Sequence, residues 1–537
     1  MLTSSDLFSV YQKAEGLLAE GELRQAADLC KEILDANPDY PYGYHLMASL
    51  FQATGTFAQA LGFAQMAVKM APQVATFHMH EGKLLLATDQ WQAAGEAFCK
   101  AHLLEPVNPE PLLLWAGSVR GEGRFDDALA LVTRARALGD TPETDEHEGL
   151  CLMMKGDDTL AEARFDRMIA RRPDRFEGYV HKGKLLFAQN RLMEAEACFA
   201  RALKKNPAAH EALHYLSMLS HTQAHPEIAA RYAINAIQAQ PQYWPGHIWL
   251  GALLLMHHKN DVAEYVLQQA HSFQPTNIYL MHLLTLSQRR QGKLFEAVEQ
   301  VEKLLAQRPD SNMLRYFRTM LKSEIAESAP ADYIAGLFDG SADQYEFHLK
   351  HVVSCTTAAQ VAHAMRGVAG LAKTPWRMLD LGCGTGLAAV VFKEMTGLRI
   401  GVDLSERMLE KARAKQLYNE LHALDIVEFM TGSDRVFDLV TAVDVLLYRG
   451  NLSAFLHAAR NVLAPQGILA FTVETLACPS GYRLHANGVF THDTHYIRNM
   501  AHDEGYIIVK QEDVVVRMEH ITPIFGSVFL LQKSQMH

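Results

Sequence analysis

The chain has 537 residues, 49% of them apolar and 21% charged, enough for two to four domains with substantial cores. Its net charge of −11 leaves no basic block to track a phosphate backbone, so nucleic acid is not an expected partner. No stretch approaches the roughly 18 apolar residues that a membrane span needs, and the start has no basic, then apolar, leader; a cytoplasmic protein without membrane contact is the expectation.

Cysteine and histidine usage narrows the chemistry further. Cys30, Cys99, Cys151, Cys198, Cys355, Cys383 and Cys478 are scattered, odd in number and without a C-x-x-C pair, which suits reduced thiols better than disulfides or zinc. The 26 histidines include "HMH" at 78–80 and "HH" at 257–258, but scattered histidine in amphipathic helices reads as surface or packing. No metal is expected.

The first part of the chain repeats. Ala26, Ala60, Ala94, Ala128, Ala161, Ala195, Ala229, Ala263 and Ala297 are spaced by 34 residues, with one step of 33. Twelve residues after each lies a proline, from Pro38 to Pro309, with Asp140 the one exception. Twelve residues before each lies a small residue, among them Ala14, Gly82, Gly149 and Gly251. Each unit reads as two amphipathic helices joined by a turn and stopped near the proline, with small residues where the axes approach.

After Pro309, the spacing of Met313, Leu314, Phe317 and Leu321 predicts one more helix, able to cap the end of the array. "ESAPAD" breaks that helix. The following "YIAGLFDGSADQYEFHLKHVV" predicts one or two short helices that act as a lid or docking element for what comes next.

From Arg377 the pattern changes. "RMLDL" predicts a strand, "GCGTG" a glycine turn, "LAAVVFKEMTG" a helix and "LRIGVDL" a second strand, the opening of a doubly wound α/β sheet. Gly382, Gly384 and Gly386 remove Cβ atoms where backbone must approach a bound nucleoside. A dinucleotide fingerprint needs its third glycine at 387, which is Leu387, and no Lys-Ser/Thr follows for a nucleotide P-loop. Asp403 ends the second strand, where an acid accepts ribose hydroxyl protons.

Two resemblances follow. The 34-residue pattern over about residues 5–310 resembles the tetratricopeptide repeat, a solenoid whose concave face holds peptides or protein segments. That register would put Glu15, His45, Ser49, Gln52, Lys83, Lys184, His214, Met218 and His221 near that face. "LDLGCGTG", "GVDLS", "LHALDIVEF", "FDLVTAVDVLLY" and "LAPQGILAFTVET" resemble the class I S-adenosylmethionine-dependent methyltransferases, with an antiparallel closing hairpin at the end of the chain. More narrowly, "LFDGSADQYEFHL" and "GYRLHANGVFTHDTHYI" resemble bacterial repeat-containing, trans-aconitate-methyltransferase-like proteins. The expected architecture is multidomain: an all-α repeat superhelix over 1–310, a capping helix and linker over 311–345, and an α/β methyltransferase domain over 346–537.

The methyltransferase resemblance implies S-adenosyl-L-methionine as cofactor. It implies backbone contacts from Gly382, Cys383, Gly384, Thr385 and Gly386 to the methionine part, with Asp380 toward its amino group. Asp403 would bind the ribose, Leu404 and Met408 would pack near adenine, and Asp425 with Ile426 would flank the adenine amino group. Asp444 ends the fourth strand at the same cleft.

Acceptor-side candidates are Asp444, Tyr448, Glu474, Tyr482, Arg483, His492 and Tyr496, with Tyr345 and His348 from the preceding segment. Of these, His492, Tyr448 and Arg483 are the catalytic candidates: His492 as a general base, Arg483 as partner of an anionic acceptor. No N-P-P-Y or D-P-P-Y follows the fourth strand, which argues against planar nitrogen acceptors. Three functions remain open: methylation of a protein or peptide recruited by the repeats, O-methylation of a small carboxylic acid with the repeats serving assembly, and a non-catalytic scaffold.

Overall fold

A computed structural model describes residues 4–88, 90–275, 277–322, 324–342, 345–346, 349, 356–366, 375–478, 480–485, 487–519 and 522–534. The chain divides into two compact units, Met1–Arg191 and Leu192–His537. This division does not follow the change of architecture, because the second unit begins within the repeats.

In the first unit, helices Ser4–Ala19 and Leu23–Ala36 form one antiparallel pair, Pro41–Ala53 and Phe57–Met70 the next, and the pattern runs on to Glu177–Ala188. The alanine ladder is the reason the pairs close: Ala26, Ala60, Ala94, Ala128 and Ala161 are all fully buried. The small-residue ladder has an equally direct cause. A Cβ on Gly82 would stand 2.5 Å from the Phe98 ring, and one on Gly149 the same distance from Phe165. Each glycine makes room for the phenylalanine of its own pair's second helix. The turn between paired helices takes a left-handed residue, Gly21 at φ 83° in the first pair and Asn190 at φ 61° after Glu177–Ala188.

The polar residues expected on the inner face of this unit engage one another. Tyr11 donates to Glu15 and its hydroxyl lies 2.9 Å from His45 Nδ1, while His80 Nε2 lies 2.8 Å from Gln52 Oε1. Burial holds His45 down at about 3 and His80 at about 4, so both are neutral.

The second unit opens with Leu192–Lys205 and three further helix pairs, ending in Ile278–Arg290 and Leu294–Gln307. The expected capping helix is Asn312–Lys322, with Leu314, Phe317 and Leu321 buried against Ala297 and Val301. Tyr333, Leu484 and Phe490 join that same core, so the cap is covered by the α/β domain.

That domain is built on a seven-stranded sheet in the order β3-β2-β1-β4-β5-β9-β8. Its strands are β1 (Trp376–Leu381), β2 (Thr396–Asp403), β3 (Glu420–Ala423), β4 (Phe437–Ala442), β5 (Leu463–Glu474), β8 (Tyr506–Glu519) and β9 (Thr522–Lys533). β1 to β5 are mutually parallel, and β9 and β8 close the sheet as an antiparallel hairpin. Strand alternation feeds two cores. Leu379, Val440, Leu469 and Phe471 face one side, covered by helices Ser453–Val462 and Thr494–Asp503. Met378, Leu439, Ile468 and Ala470 face the other, under Thr357–Arg366 and Leu387–Phe392. A separate ribbon of β6 (Tyr482–Leu484) and β7 (Phe490–His492) follows β5. The order reverses between β1 and β4, so the carboxyl ends of those two strands form the crevice where such sheets bind ligands.

Candidate active site

At that crevice lies an open-mouthed cleft. Gly382 and Gly384 form its floor after β1, Asp403 and Leu404 after β2, and Asp425 and Ile426 after β3. Asp444 and Tyr448 close it from the β4 side, and Tyr345 lines it from the segment before β1. Eight of the cleft residues expected from the methyltransferase resemblance thus come together with Tyr345.

The glycine turn takes a backbone path that glycine follows without steric cost. Gly382, Gly384 and Gly386 all have positive φ, at 64°, 52° and 88°. A Cβ on Gly382 would strike Val445 at 2.3 Å, whereas one on Gly384 would meet nothing nearer than the Tyr345 ring at 4.0 Å. Open space over Gly384 is what a ligand's close approach to backbone requires. Asp403 fixes the turn: its carboxylate accepts from Gly384 N and from Ser405 N, each at 2.8 Å. Burial raises the Asp403 carboxyl, and these backbone donors hold it back toward the ionised form.

A second layer supports the turn. Asp380 is buried and does not line the cleft; Tyr418 donates to its Oδ2 at 2.6 Å and Thr441 to its Oδ1 at 2.7 Å. Burial pushes Asp380 up to about 6, against those two hydrogen bonds. Cys383, Thr385 and Gly386 also stand behind the cleft wall, Cys383 N donating to Val402 O at 3.0 Å. Lys415 donates to Thr385 O at 2.7 Å and pairs with Glu346. Met408, expected near adenine, lies in the core beneath, its amide capped by Ser405 Oγ at 3.1 Å.

The acceptor-side expectations need correction. His492 is fully buried on β7, with Nε2 donating to the carbonyls of Arg449 at 2.8 Å and Gly450 at 3.2 Å. Burial lowers it to about 4. It faces backbone, not the cleft, and acts as a neutral brace. Arg483 is exposed on β6, whose alternation sends Leu484 into the core instead. Glu474 is buried in an ion pair with Arg517, while Tyr482 packs on Gly450 and Tyr496 accepts from Leu452 N at 3.2 Å. None of these lines the cleft. Tyr448 does line it, but burial raises its phenol well above 10, with Glu474 and Asp444 adding to the rise against Arg517. It lines the cleft as a neutral phenol. His348 lies outside the described residues.

Sequence reasoning missed four residues. Arg449 lines the cleft and pairs with Asp425, whose other oxygen caps helix Ile426–Thr431 through Val427 N at 2.8 Å. Ile334 and Phe338 line it from helix Ala331–Ser341. Tyr418 sits beneath Gly386 and Gly401 while holding Asp380. Only Arg449 carried a usable signal, standing directly after Tyr448.

A cleft floored by close-approach glycines and an acid at the end of β2, in a 3-2-1-4-5 parallel sheet closed by an antiparallel hairpin, is the architecture of a methyltransferase domain. The family profile described as "Methyltransferase domain" matches residues 379–471, and one described as "Tetratricopeptide repeat" matches residues 181–223. The chain therefore carries tetratricopeptide repeats and a methyltransferase domain together.

Among curated relatives, the chain is 25% identical over 142 residues to the ubiquinone biosynthesis O-methyltransferase of Pasteurella multocida, covering 24% of this chain and 57% of that one. It is 30% identical over 139 residues to the malonyl-[acyl-carrier protein] O-methyltransferase of Salmonella typhimurium, covering 26% and 52%. The chain thus spans about half the length of these relatives. Solved structures similar to parts of it include a tetratricopeptide repeat protein from Parabacteroides merdae (15% identity, 46% of this chain and 98% of that one, TM-score 0.41). Another is a SAM-dependent methyltransferase from Methanosarcina mazei (13% identity, 31% and 96%, TM-score 0.26). No helix among the described residues is long and apolar enough to cross a membrane.

Proposed function

We propose that the chain transfers a methyl group from S-adenosylmethionine to an oxygen acceptor carried by a protein or peptide that the repeats hold. The observation that carries the cofactor reading is Asp403, which ties the glycine turn and faces the cleft at once. When bound, the cofactor supplies an electrophilic methyl on a positively charged sulfur. Gly382 and Gly384 would let its methionine part lie against backbone, Asp403 would take the ribose hydroxyls, and Leu404 with Ile426 would pack beside the adenine.

On the acceptor side, orientation and exclusion of water do most of the work. Holding a nucleophile in line is worth about 7–11 kcal/mol. Tyr448 and Asp444 flank the entry from β4, and Asp444 is held at φ 58° while Thr472 Oγ1 accepts from its N–H at 2.8 Å. A left-handed aspartate costs about 1–3 kcal/mol and is retained where the geometry is used. A carboxylate acceptor needs no base, which suits a cleft whose nearby histidine is turned away.

The oxygen acceptor is supported by the names of the relatives, and the malonyl-[acyl-carrier protein] case is an acid borne on a protein. A repeat array adds little to an enzyme for free small molecules, which favours a macromolecular carrier. A second reading, O-methylation of a small free acid, requires a cation in the cleft. Arg449, which lines the cleft, would take the role the sequence suggested for Arg483, and would have to leave its ion pair with Asp425 to do so.

Incubating the full chain with methyl-labelled S-adenosylmethionine and cell extract tests the choice. Label in the protein fraction, reduced by excess Asp403→Ala chain with intact repeats, is the expected result. Label only in small organic acids, indifferent to that competitor, would replace the first reading with the second.

A further inference from the structure

Helix Ala331–Ser341 has two faces with different neighbours. Ile334 and Phe338, one turn apart, line the cleft, and Phe338 packs edge-on against Tyr345 at 5.7 Å and Tyr448 at 5.6 Å. The opposite face sits on the repeats. Tyr333 is fully buried against Tyr316 and Phe317 of the capping helix. A Cβ on Gly336 would fall 2.1 Å from Ile278 Cδ1, and one on Gly340 would fall 3.1 Å from Tyr279 Cβ. These two glycines therefore let the helix seat directly on the start of repeat helix Ile278–Arg290.

The seat is joined to both walls of the cleft. Asp339 Oδ1 accepts from Ser405 Oγ at 2.5 Å, and Ser405 N in turn donates to Asp403. Asp339 O also accepts from Arg407 at 3.0 Å. On the other wall, Glu327 O accepts from Gly450 N at 2.7 Å, and Ala329 N donates to Tyr448 O at 2.9 Å. The chain leaving the repeats thus clamps the Asp403 side and the Tyr448–Arg449 side before the domain's first strand begins.

We propose that the ninth helix pair and the capping helix are a working part of the methyl-transfer site: by seating helix Ala331–Ser341 on Ile278 and Tyr279 through Gly336 and Gly340, they set where Ile334 and Phe338 stand against the bound cofactor. Gly336 and Ile278 are positioning residues, and Ile334 and Phe338 are the contacts they place. This rests on the cofactor reading above and goes beyond it, because it makes the repeats a component of the site and not only a recruiting surface. Packed interfaces of this kind do not deform continuously, so a wedge at Gly336 moves the helix as a unit.

The test is calorimetric titration of the full chain with S-adenosylmethionine, with the thermal midpoint measured alongside. Gly336→Leu drives a side chain into Ile278 and is expected to weaken binding at least tenfold. Adding Ile278→Ala to the same chain vacates the space and is expected to restore most of the loss, which a merely structural defect would not show. Phe338→Ala, which opens the cleft wall without touching the seat, is expected to weaken binding about tenfold with the chain folded. Wild-type affinity in folded Gly336→Leu overturns the proposal; if that variant does not fold, unchanged affinity in Phe338→Ala overturns it. A folded wild-type chain that binds no cofactor overturns the shared reading instead, so the two failures are distinguishable.

Discussion

Gly384 N donates to Asp403 Oδ2 at 2.8 Å, so the acid that ends β2 holds in place the glycine turn that ends β1. The turn and the acid are one device. Gly384 has only open space where its Cβ would go, whereas Gly382 has Val445 there. Gly384→Ala is therefore expected to keep the fold, at about 1–3 kcal/mol of backbone strain, while projecting a methyl into the cleft and weakening cofactor binding more than tenfold. Gly382→Ala is expected to lose stability and binding together. Titration with parallel thermal unfolding separates the two.

Asp380 gives binding a pH dependence. Burial lifts its carboxyl to about 6, above the unfolded value near 4, so the native state binds the extra proton between these values. The stabilisation from that proton is present at low pH and is lost as pH rises through about 6. If the buried carboxylate attracts the cofactor's ammonium group, affinity falls as pH drops through about 6. Asp380→Asn is expected to flatten that dependence over pH 5–7.5. A wild-type affinity constant over that range would contradict it.

The buried histidines act in the opposite sense. His80, His147, His282 and His492 are each lowered to about 4 by burial, below the ordinary value near 6.5. Their stability contribution is present above 6.5 and is lost as pH falls toward 4, at about 2 kcal/mol each by pH 5. The thermal midpoint is expected to drop steeply from pH 7 to 5. His492→Gln, able to keep a donor toward the Arg449 carbonyl, is expected to lessen that slope and leave the pH–rate profile unchanged. Loss of the acidic limb of the profile, where a catalytic base becomes protonated, would reinstate His492 as a base.

Phe165 is fully buried and fills the space that Gly149 leaves open. Phe165→Ala is expected to cost about 3–5 kcal/mol. Ultraviolet circular dichroism should then show the repeats of the first unit melting earlier, with cofactor affinity unchanged. Equal loss of affinity would mean that the first unit contributes to the cleft.

Much of this was legible in the chain itself because its signals are local. Alanine and glycine ladders specify helix pairs, since glycines of the ladder answer a large residue sixteen positions on, as Gly82 answers Phe98 and Gly149 answers Phe165. The glycine triplet and Asp403 were readable because strand, turn and strand are contiguous. The long-range contacts that support the cleft were not. Tyr418 meets Asp380 across 38 residues, and Asp339 meets Ser405 across 66, with no periodicity to announce either contact. His492 and Arg483 were misplaced for a related reason: the ribbon of β6 and β7 follows β5 in sequence, but its alternation turns one inward to backbone and the other out to solvent.

The central claim is the cofactor site, and titrating the purified full chain with S-adenosylmethionine and its demethylated product, beside Asp403→Ala, tests it most directly. The account predicts binding of both ligands in the micromolar range, lost at least a hundredfold in a folded Asp403→Ala chain. A folded wild-type chain that binds neither ligand, or an Asp403→Ala chain that binds both unchanged, would contradict it.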